Sequence, residues 1–538
     1  MSDKKNIWWK HGVIYQIYPR SFMDSNGDGI GDINGITSKL DYLESLGIDA
    51  IWLSPVYPTP MKDFGYDISD YRSIDHVFGT DSDFDSLVEN AAKRGIKIIM
   101  DIVFNHTSDQ HPWFIESRSS KDNPKRDWYV WHDPVKGGYP NNWMAAFGGR
   151  AWEFDEKTGQ YYLHSFLKEQ PDLNWRNPAV LDELKSIMNY WIDRGVAGFR
   201  YDVINLFVKD IRFRSNPLTI GRPRPYDLQK HIYDRDRQEV HNIMREVRRT
   251  ADAGGAIMTV GEIMVAGKGD PSLAASYLGM NDELHLSFDF SLITAPWSAE
   301  VWYTLISRWI TECEKRNSWP CHVLSNHDQS RSVSRFGSGE KGLARARAAA
   351  LLMLTLKGTP FLYYGEEIGM ADGKIRRSQM HDPVGIKYWP LNSGRDPERT
   401  PMQWDSSVNA GFSTVKPWLP VSPDRYTVNI EGQLENPASI LSLYKRLISL
   451  RKQMPALHSG DWIPYIKGKN DIISWFRTSG SQKIIAAVNF SRAVKTIDIP
   501  EGEKYKIILT TDVTGGSFEA DGRVSIPGYG GVLMEKLS

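Results

Sequence analysis

Short runs of apolar, β-branched and aromatic residues recur along the first two thirds of the chain, each ending on polar residues and followed by a longer amphipathic stretch. The first three are Val13-Ile-Tyr-Gln-Ile-Tyr18, Ala50-Ile-Trp-Leu-Ser-Pro55 and Ile96-Lys-Ile-Ile-Met-Asp-Ile-Val103. Segments of helical period at 36–46 and 84–94 precede the second and third, giving a repeat of about 40 residues, the rhythm of βα units with generous loops. Later strand candidates are Gly198-Phe-Arg-Tyr-Asp202, Ile257-Met-Thr-Val-Gly-Glu262, the neighbourhood of 284–290, Cys321-His-Val-Leu-Ser-Asn326 and Pro360-Phe-Leu-Tyr-Tyr-Gly365. Eight strands of this kind favour a (β/α)8 TIM barrel, with an open doubly wound sheet as the reading that periodicity alone leaves open.

Between the third and fourth runs lie about 100 residues, far above ordinary loop length, so a small inserted domain is expected. After the eighth run comes a long polar stretch, 370–436, and then a helical segment at 440–454 that closes the barrel. Beyond 462, short β-rich runs alternate with turns, the pattern of an antiparallel β-sandwich. The predicted α/β architecture is thus a barrel over 1–104 and 171–458, an insertion over 105–170 and a C-terminal sandwich over 459–538.

Composition narrows the function. Sixty-five Lys and Arg nearly cancel 66 Asp and Glu, which gives no electrostatic reason to bind nucleic acid or an anionic membrane. Aromatic residues reach 12%, and their faces can stack on sugar rings as well as fill a core. Only Cys313 and Cys321 carry thiols, too few for a disulfide framework and easier to place in a reducing compartment. The stretch Met1-Ser-Asp-Lys-Lys-Asn-Ile-Trp-Trp9 has no apolar signal core, and the run 348–356 is too short to span a bilayer. A cytoplasmic protein, monomeric or homodimeric, is expected. Trp8 and Trp9 read as core or subunit contacts.

In a barrel the chemistry sits where strands end, so the polar residues capping the predicted strands are the candidates. Asp202, Glu262 and Asp328 follow the fourth, fifth and seventh runs. Asp101, Asn105 and His106 close the third, while Tyr66 and Asp67 follow the second. Cleaving a glycosidic bond needs two carboxyl groups, one to attack C1 and one to protonate the departing oxygen. Arg200 lies two residues before Asp202, on the same face of an extended strand, and favours its charged form. Glu262 follows the apolar run 256–260, where burial raises a carboxyl pKa as a general acid requires. The bland readings are a structural Arg200–Asp202 pair and two satisfied core histidines at His106 and His327.

Taken together, Asp101-Ile-Val-Phe-Asn-His106, Gly198-Phe-Arg-Tyr-Asp-Val203, Val260-Gly-Glu-Ile263 and Ser325-Asn-His-Asp328 resemble the α-amylase superfamily of glycoside hydrolases (family 13), in its oligo-1,6-glucosidase and α-glucosidase branch. Supporting stretches are Asp63-Phe-Gly-Tyr-Asp67, Gln170-Pro-Asp-Leu-Asn174 and Arg399-Thr-Pro-Met-Gln-Trp404. The resemblance implies Asp202 as nucleophile, Glu262 as acid/base and Asp328 as the carboxylate that grips the distorted sugar. It implies that Tyr66, His106, Arg200 and His327 line a glucose pocket, with contributions from Phe166 and Gln170. Asp63 and Arg399 resemble the pair that closes such a pocket around a chain end, which implies exo-action. Val203, after the nucleophile, resembles the selector that accompanies α-1,6 bonds.

Two departures qualify the expected specificity. The segment His381-Asp-Pro-Val-Gly-Ile-Lys-Tyr-Trp389 and the loop around Arg222-Pro-Arg-Pro225 resemble other α-glucosidases, some active on maltose or sucrose. Glucosyl transfer, sucrose isomerisation and trehalose-6-phosphate hydrolysis are the rival activities, the last calling on Arg222, Arg224 or Lys230 for phosphate. A sucrose isomerase would be expected to carry Arg-Leu-Asp-Arg-Asp, which the chain lacks. Finally, Asp24-Ser-Asn-Gly-Asp-Gly-Ile-Gly-Asp32 begins like an EF-hand loop, but Gly35 stands where the bidentate Glu would be. Asp24, Asn26, Asp28, Asp32 and the Ile30 carbonyl suit Ca²⁺ or Mg²⁺ in a structural role, and members of the branch carry such an ion. The metal-free reading of the loop is an Asx turn.

Overall fold

The computed structural model describes residues 7–220, 224–265, 269–512, 519–520 and 522–537. Arg222 lies outside them. Eight parallel strands build the central sheet: β1 (Ile14–Ile17), β2 (Ala50–Leu53), β3 (Lys97–Ile102), β7 (Gly198–Tyr201), β8 (Met258–Gly261), β9 (Leu286–Ser287), β10 (Cys321–Val323) and β11 (Thr359–Tyr363). Their order, β10-β11-β1-β2-β3-β7-β8-β9, is that of a barrel whose remaining seam lies between β9 and β10. There the Cys321 thiol donates to the Ser287 carbonyl at 3.1 Å.

The two-residue pleat sorts every strand into an inner and an outer face. Ile14, Trp52, Ile99, Met258, Val260, Val323 and Phe361 fill the barrel, and Trp9 joins them from the N-terminal end. Tyr15, Ile51, Ile98, Met100, Phe199 and Tyr201 face outward into the helix layer. The same alternation carries Gln16, Asp101, Arg200, Asp202 and Glu262 inward at the C-terminal rim, above the apolar filling. That is how the strands place the polar site.

Helices at Asp81–Lys93, Gly339–Thr355 and Ile440–Gln453 occupy the segments that the periodicity marks. The segment at 36–46 differs: it forms two helices, Ile33–Ser38 and Leu40–Leu46, parted at Lys39. The Thr37 hydroxyl donates back to the Ile33 carbonyl and that of Ser38 to Gly35, side-chain bonds that compete with the helix ladder at this joint.

Between β3 and β7, β4 (Trp131–His132), β5 (Trp152–Asp155) and β6 (Gln160–Leu163) form a small antiparallel sheet with β6 in the middle. Buried Asp172 ties this segment to the barrel loops, accepting from Asn105 at 3.2 Å and pairing with Lys209 at 3.0 Å. After the barrel, β12 (Asp461–Lys467), β13 (Ile472–Ser479), β14 (Gln482–Asn489), β16 (Tyr505–Thr510), β17 (Glu519–Ala520) and β19 (Gly531–Lys536) form one sheet. β15 (Lys495–Asp498) pairs with β18 (Arg523–Ile526) to form a second. In β13 and β14, Ile473, Trp475, Ile484 and Ala486 join the main core, whereas Ile472, Ile485 and Ala487 pack towards β15 and β18. A sheet covered on both faces explains why these strands read as continuous apolar runs.

Candidate active site

A cavity of about 1040 Å³ opens at the C-terminal end of the barrel. Asp63, Tyr66, His106, Phe166, Asp202, Val203, Glu262 and Asp328 all line it, so eight of the twelve residues singled out for catalysis or sugar binding meet at one surface. The other four, Gln170, Arg200, His327 and Arg399, stand directly behind them as supports. Arg200, 1% exposed, is the central support. Its Nη1 donates to both oxygens of Asp101 at 2.8 Å and to Asp202 at 2.9 Å, while Nη2 donates to Glu262.

A directed hydrogen-bond chain orients the histidines. Gln16 donates to His327 Nδ1 at 2.7 Å, so the His327 proton resides on Nε2, 2.6 Å from the Tyr66 hydroxyl, which in turn donates to Asp101. His106 Nε2 is 2.9 Å from the Tyr66 carbonyl, and Phe166 packs 5.2 Å from its ring. Gln170 donates to Asp63 at 3.1 Å and takes the Leu167 amide on its carbonyl, which pins the inserted segment to the site wall.

The loop after β7 turns sharply at Val203, whose backbone adopts φ 37° and ψ 47°. A β-branched residue in the left-handed region stores strain on the order of 1–3 kcal/mol. The turn is held by the Ile204 amide on the Glu262 carbonyl and by Asn205, which bonds Met264 through both its amide nitrogen and its oxygen. Asn205 thereby locks the nucleophile loop to the acid loop. No spacing rule marks it in the sequence.

One expectation is corrected. Asp63 does not pair with Arg399. Its partner is Arg395, at 2.7 Å, a residue that motif reading missed although it stands four positions earlier in the same segment. Arg395 also binds Asp382 at 2.6 Å and approaches Asp328 at 3.3 Å. Arg399 lies deeper, donating to the His327 carbonyl and to Asp328, both at 2.7 Å. Both arginines reach the same Asp328 oxygen, but Arg399, 1% exposed, is turned to the His327 carbonyl, whereas Arg395 lines the cavity, where it meets Asp63.

The α-amylase catalytic domain family matches residues 16–460. The chain belongs to the α-amylase family. It is 42% identical over 533 residues to an oligo-1,6-glucosidase of Parageobacillus thermoglucosidasius, covering 93% of this chain and 94% of that protein. A probable α-glucosidase of Rhizobium meliloti is 41% identical over 504 residues, covering 92% and 91%. Among solved structures, an α-glucosyl transfer enzyme, XgtA, superposes with a TM-score of 0.92 at 38% identity, covering 98% of this chain and 99% of that one. The chain thus carries a glycoside hydrolase catalytic domain.

In this α-amylase-family site the three carboxyls sit in different electrostatic surroundings. Burial pushes Asp328 up, yet it is held well below the ordinary carboxylate range by His327, Arg395, Arg399 and Arg200. Because burial lowers His327 itself to about 3, that ring is neutral at pH 7 and the arginines hold Asp328 charged. Burial raises Glu262, and the charges of Asp202 and Asp328 raise it further against Arg200. Asp202 is also raised, by burial first and then by the Asp101 and Asp328 charges, against Arg200, whose guanidinium it shares with Asp101 and Glu262. Asp202 and Glu262 lie within hydrogen-bonding reach, and that bond lowers Asp202 while it raises Glu262. The surroundings thus favour the proton on Glu262 and the charge on Asp202.

Around residues 24–32 the side-chain oxygens of Asp24, Asn26 and Asp28 each accept the backbone amide two residues on. Asp24 is buried and takes four hydrogen bonds in all, including one from Ser413 at 2.6 Å. Asp32 turns to Ser25 and caps the helix Ile33–Ser38 through the Gly35 amide. Among the described residues, no group of three His, Cys, Asp or Glu side chains is arranged to hold a metal ion. The first three side chains fit the entry of a cation loop, and Asp32 is engaged elsewhere.

Proposed function

We propose that the protein is an exo-acting retaining α-glucosidase that removes the terminal glucose from the non-reducing end of short α-glucosides, with a preference for α-1,6 bonds. Asp202 attacks C1 while Glu262 gives its proton to the glycosidic oxygen, so the leaving group departs as a neutral alcohol and the glucosyl unit stays covalently joined to Asp202. Water, deprotonated by Glu262, then displaces Asp202. Asp328, anchored by Arg399, accepts hydrogen bonds from the glucose hydroxyls. The observation that carries this reading is geometric: Asp202 and Glu262 line one cavity and are both held by the Arg200 guanidinium. Two carboxyls bridged by one guanidinium fit the short spacing of a retaining pair, about 5–5.5 Å across a bound sugar, better than the 6.5–9.5 Å of an inverting one.

Asp63 and Arg395 close the inner end, which supports attack on a chain end. Val203 supports the α-1,6 preference, as does the similarity to oligo-1,6-glucosidases. One side chain filling acceptor space supplies roughly 1–3 kcal/mol of discrimination. Isomaltose is therefore expected to show about tenfold or greater kcat/KM over maltose in a panel with sucrose, trehalose and trehalose 6-phosphate. Faster cleavage of maltose would refute the role given to Val203. The similarity to a glucosyl transfer enzyme supports a second outlet at high substrate, with a sugar replacing water. For the phosphate rival, Arg224 is already engaged by Asp227 at 2.8 and 3.1 Å.

The division at 104, 170 and 458 is our reading of the domains, supported by where the three sets of strands begin and end. A cytoplasmic setting is supported by two buried, unpaired cysteines; no described helix is long and apolar enough to cross a membrane. We further propose that Asp24, Asn26, Asp28 and the Ile30 carbonyl hold Ca²⁺ or Mg²⁺, with Asp32 joining them by giving up its bonds to Ser25 and the Gly35 amide. Chelation is then expected to lower the melting temperature by a few degrees, since binding stabilises the folded state by mass action. An unchanged melting curve after exhaustive chelation would remove the metal proposal.

A further inference from the structure

We infer that a second cleft, on the seam between the inserted segment and the loop after β7, binds one free pyranose, with glucose as the ligand. The choice of sugar rests on the α-glucosidase reading above, which makes glucose the product. The cleft itself shares no lining residue with the catalytic cavity. Its volume is about 240 Å³, below the range that encloses a drug-sized ligand and suited to one ring more than to a chain. Seams between units of a fold are where small-molecule sites form by preference.

Three stretches meet there: 127–131 of the insertion, 173–176 where the chain returns from it, and 207–213 after β7. Trp175 lies flat on Phe207, ring centroids 4.3 Å apart and planes 7° from parallel, and Trp131 and Phe213 extend the aromatic wall. The polar atoms of this wall are spent elsewhere. Trp175 Nε1 donates to the Phe104 carbonyl, Trp131 Nε1 donates to Ser117, and the Tyr129 hydroxyl bonds Thr107. The rings thus offer the cleft carbon, the surface that the C–H face of a pyranose covers. Phe213 joins the wall at φ 48°, a left-handed backbone that is uncommon for an aromatic residue and that clusters at ligand sites. Ile211, 69% exposed, continues the apolar lip.

The rim carries the opposite chemistry. Asp127 borders it, exposed, and its carboxylate accepts no hydrogen bond from a described residue. Arg176 commits only Nη2, to the Lys209 carbonyl at 2.6 Å and to Glu239 at 2.8 Å, which leaves Nε and Nη1 as donors. Lys209, at the base, is neutralised by Asp172 at 3.0 Å and donates to Asn105 at 3.2 Å. A carboxylate that accepts and a guanidinium that donates, above a carbon wall, match the hydroxyl edge and the apolar face of one sugar ring. An apolar ligand would not engage the rim, and a bare ion would not cover the wall.

The test is fluorine NMR of the protein labelled with fluorotryptophan, the Trp131 and Trp175 resonances being assigned with Trp131→Phe and Trp175→Phe. Glucose is expected to shift at least one of the two saturably, at millimolar concentration. Asp127→Ala is expected to raise the half-saturating concentration about tenfold, the loss of a hydrogen bond to a charged group. Sorbitol, with the hydroxyls but no ring, is expected to leave both resonances in place. No saturable shift, an equal response to sorbitol, or a half-saturation that Asp127→Ala leaves unchanged each overturns the site. The titration needs no turnover, so its failure leaves the glucosidase reading standing, whereas that reading falls on failure to cleave isomaltose.

Discussion

Asn in place of Asp202 is expected to lower kcat on isomaltose by about 10⁴-fold or more, with the fold and melting temperature close to those of the unchanged protein. The expectation follows from charge. Asp202 ends β7 on the inward face, 2.9 Å from the Arg200 guanidinium, and it is the proton-poor member of the pair with Glu262. An amide keeps the shape and can still meet Arg200 through its oxygen, but it cannot form the ester bond to C1. Arg200 retains Asp101 and Glu262 as partners, so no buried cation is left uncompensated. Trapping discriminates this from mere weakening. A fluorinated glucosyl donor should label the unchanged protein at Asp202 and leave the variant unlabelled. Turnover within tenfold of normal, or labelling at another residue, would show that the nucleophile lies elsewhere.

What the sequence reveals and conceals follows from how each residue is held. The barrel was legible because most strands carry an apolar inward residue followed, two or four positions on, by a polar one. Trp52, Ile99 and Val260 fill the barrel while Asp101, Arg200 and Glu262 rise to its rim. Period-two alternation and strand-end polarity are local, and a single chain shows both. Arg395 was not legible in the same way. It meets Asp63 across 332 positions, from a segment of short turns with no period to betray its direction. Asn205 escaped for a similar reason, since its work is to join two loops through Met264. The electrostatics of Asp202 needed coordinates too. The sequence puts one arginine beside one aspartate, but the fold gives that arginine three carboxyls to satisfy. Lys39 shows the limit at the level of secondary structure, where an unbroken amphipathic pattern spans two helices because hydroxyls at 37 and 38 return to the backbone.

Glu262→Gln is expected to cost about 10²–10⁴-fold in kcat on isomaltose, the usual worth of a positioned proton donor, and the size of the loss should depend on the leaving group. The second glucose of isomaltose must depart as an alkoxide unless its oxygen is protonated, so this substrate needs the acid fully. A nitrophenyl α-glucoside releases a stable phenolate, and its first step should fall far less. The pH profile gives an independent check. Glu262 must hold its proton for the first step, and its pKa stands above the ordinary glutamate range because burial and the neighbouring Asp202 and Asp328 charges disfavour ionisation. Activity is therefore present below the Glu262 pKa and is lost as pH rises through it, which sets the alkaline limb. Asp328 is already ionised far below neutrality, so the acid limb reports protonation of Asp202, whose pKa is raised by burial. In Glu262→Gln the alkaline limb should vanish while the acid limb stays with Asp202, because the Gln amide can still donate to it in place of the Glu262 carboxyl. An alkaline limb that persists unchanged in this variant would assign the acid role to another group.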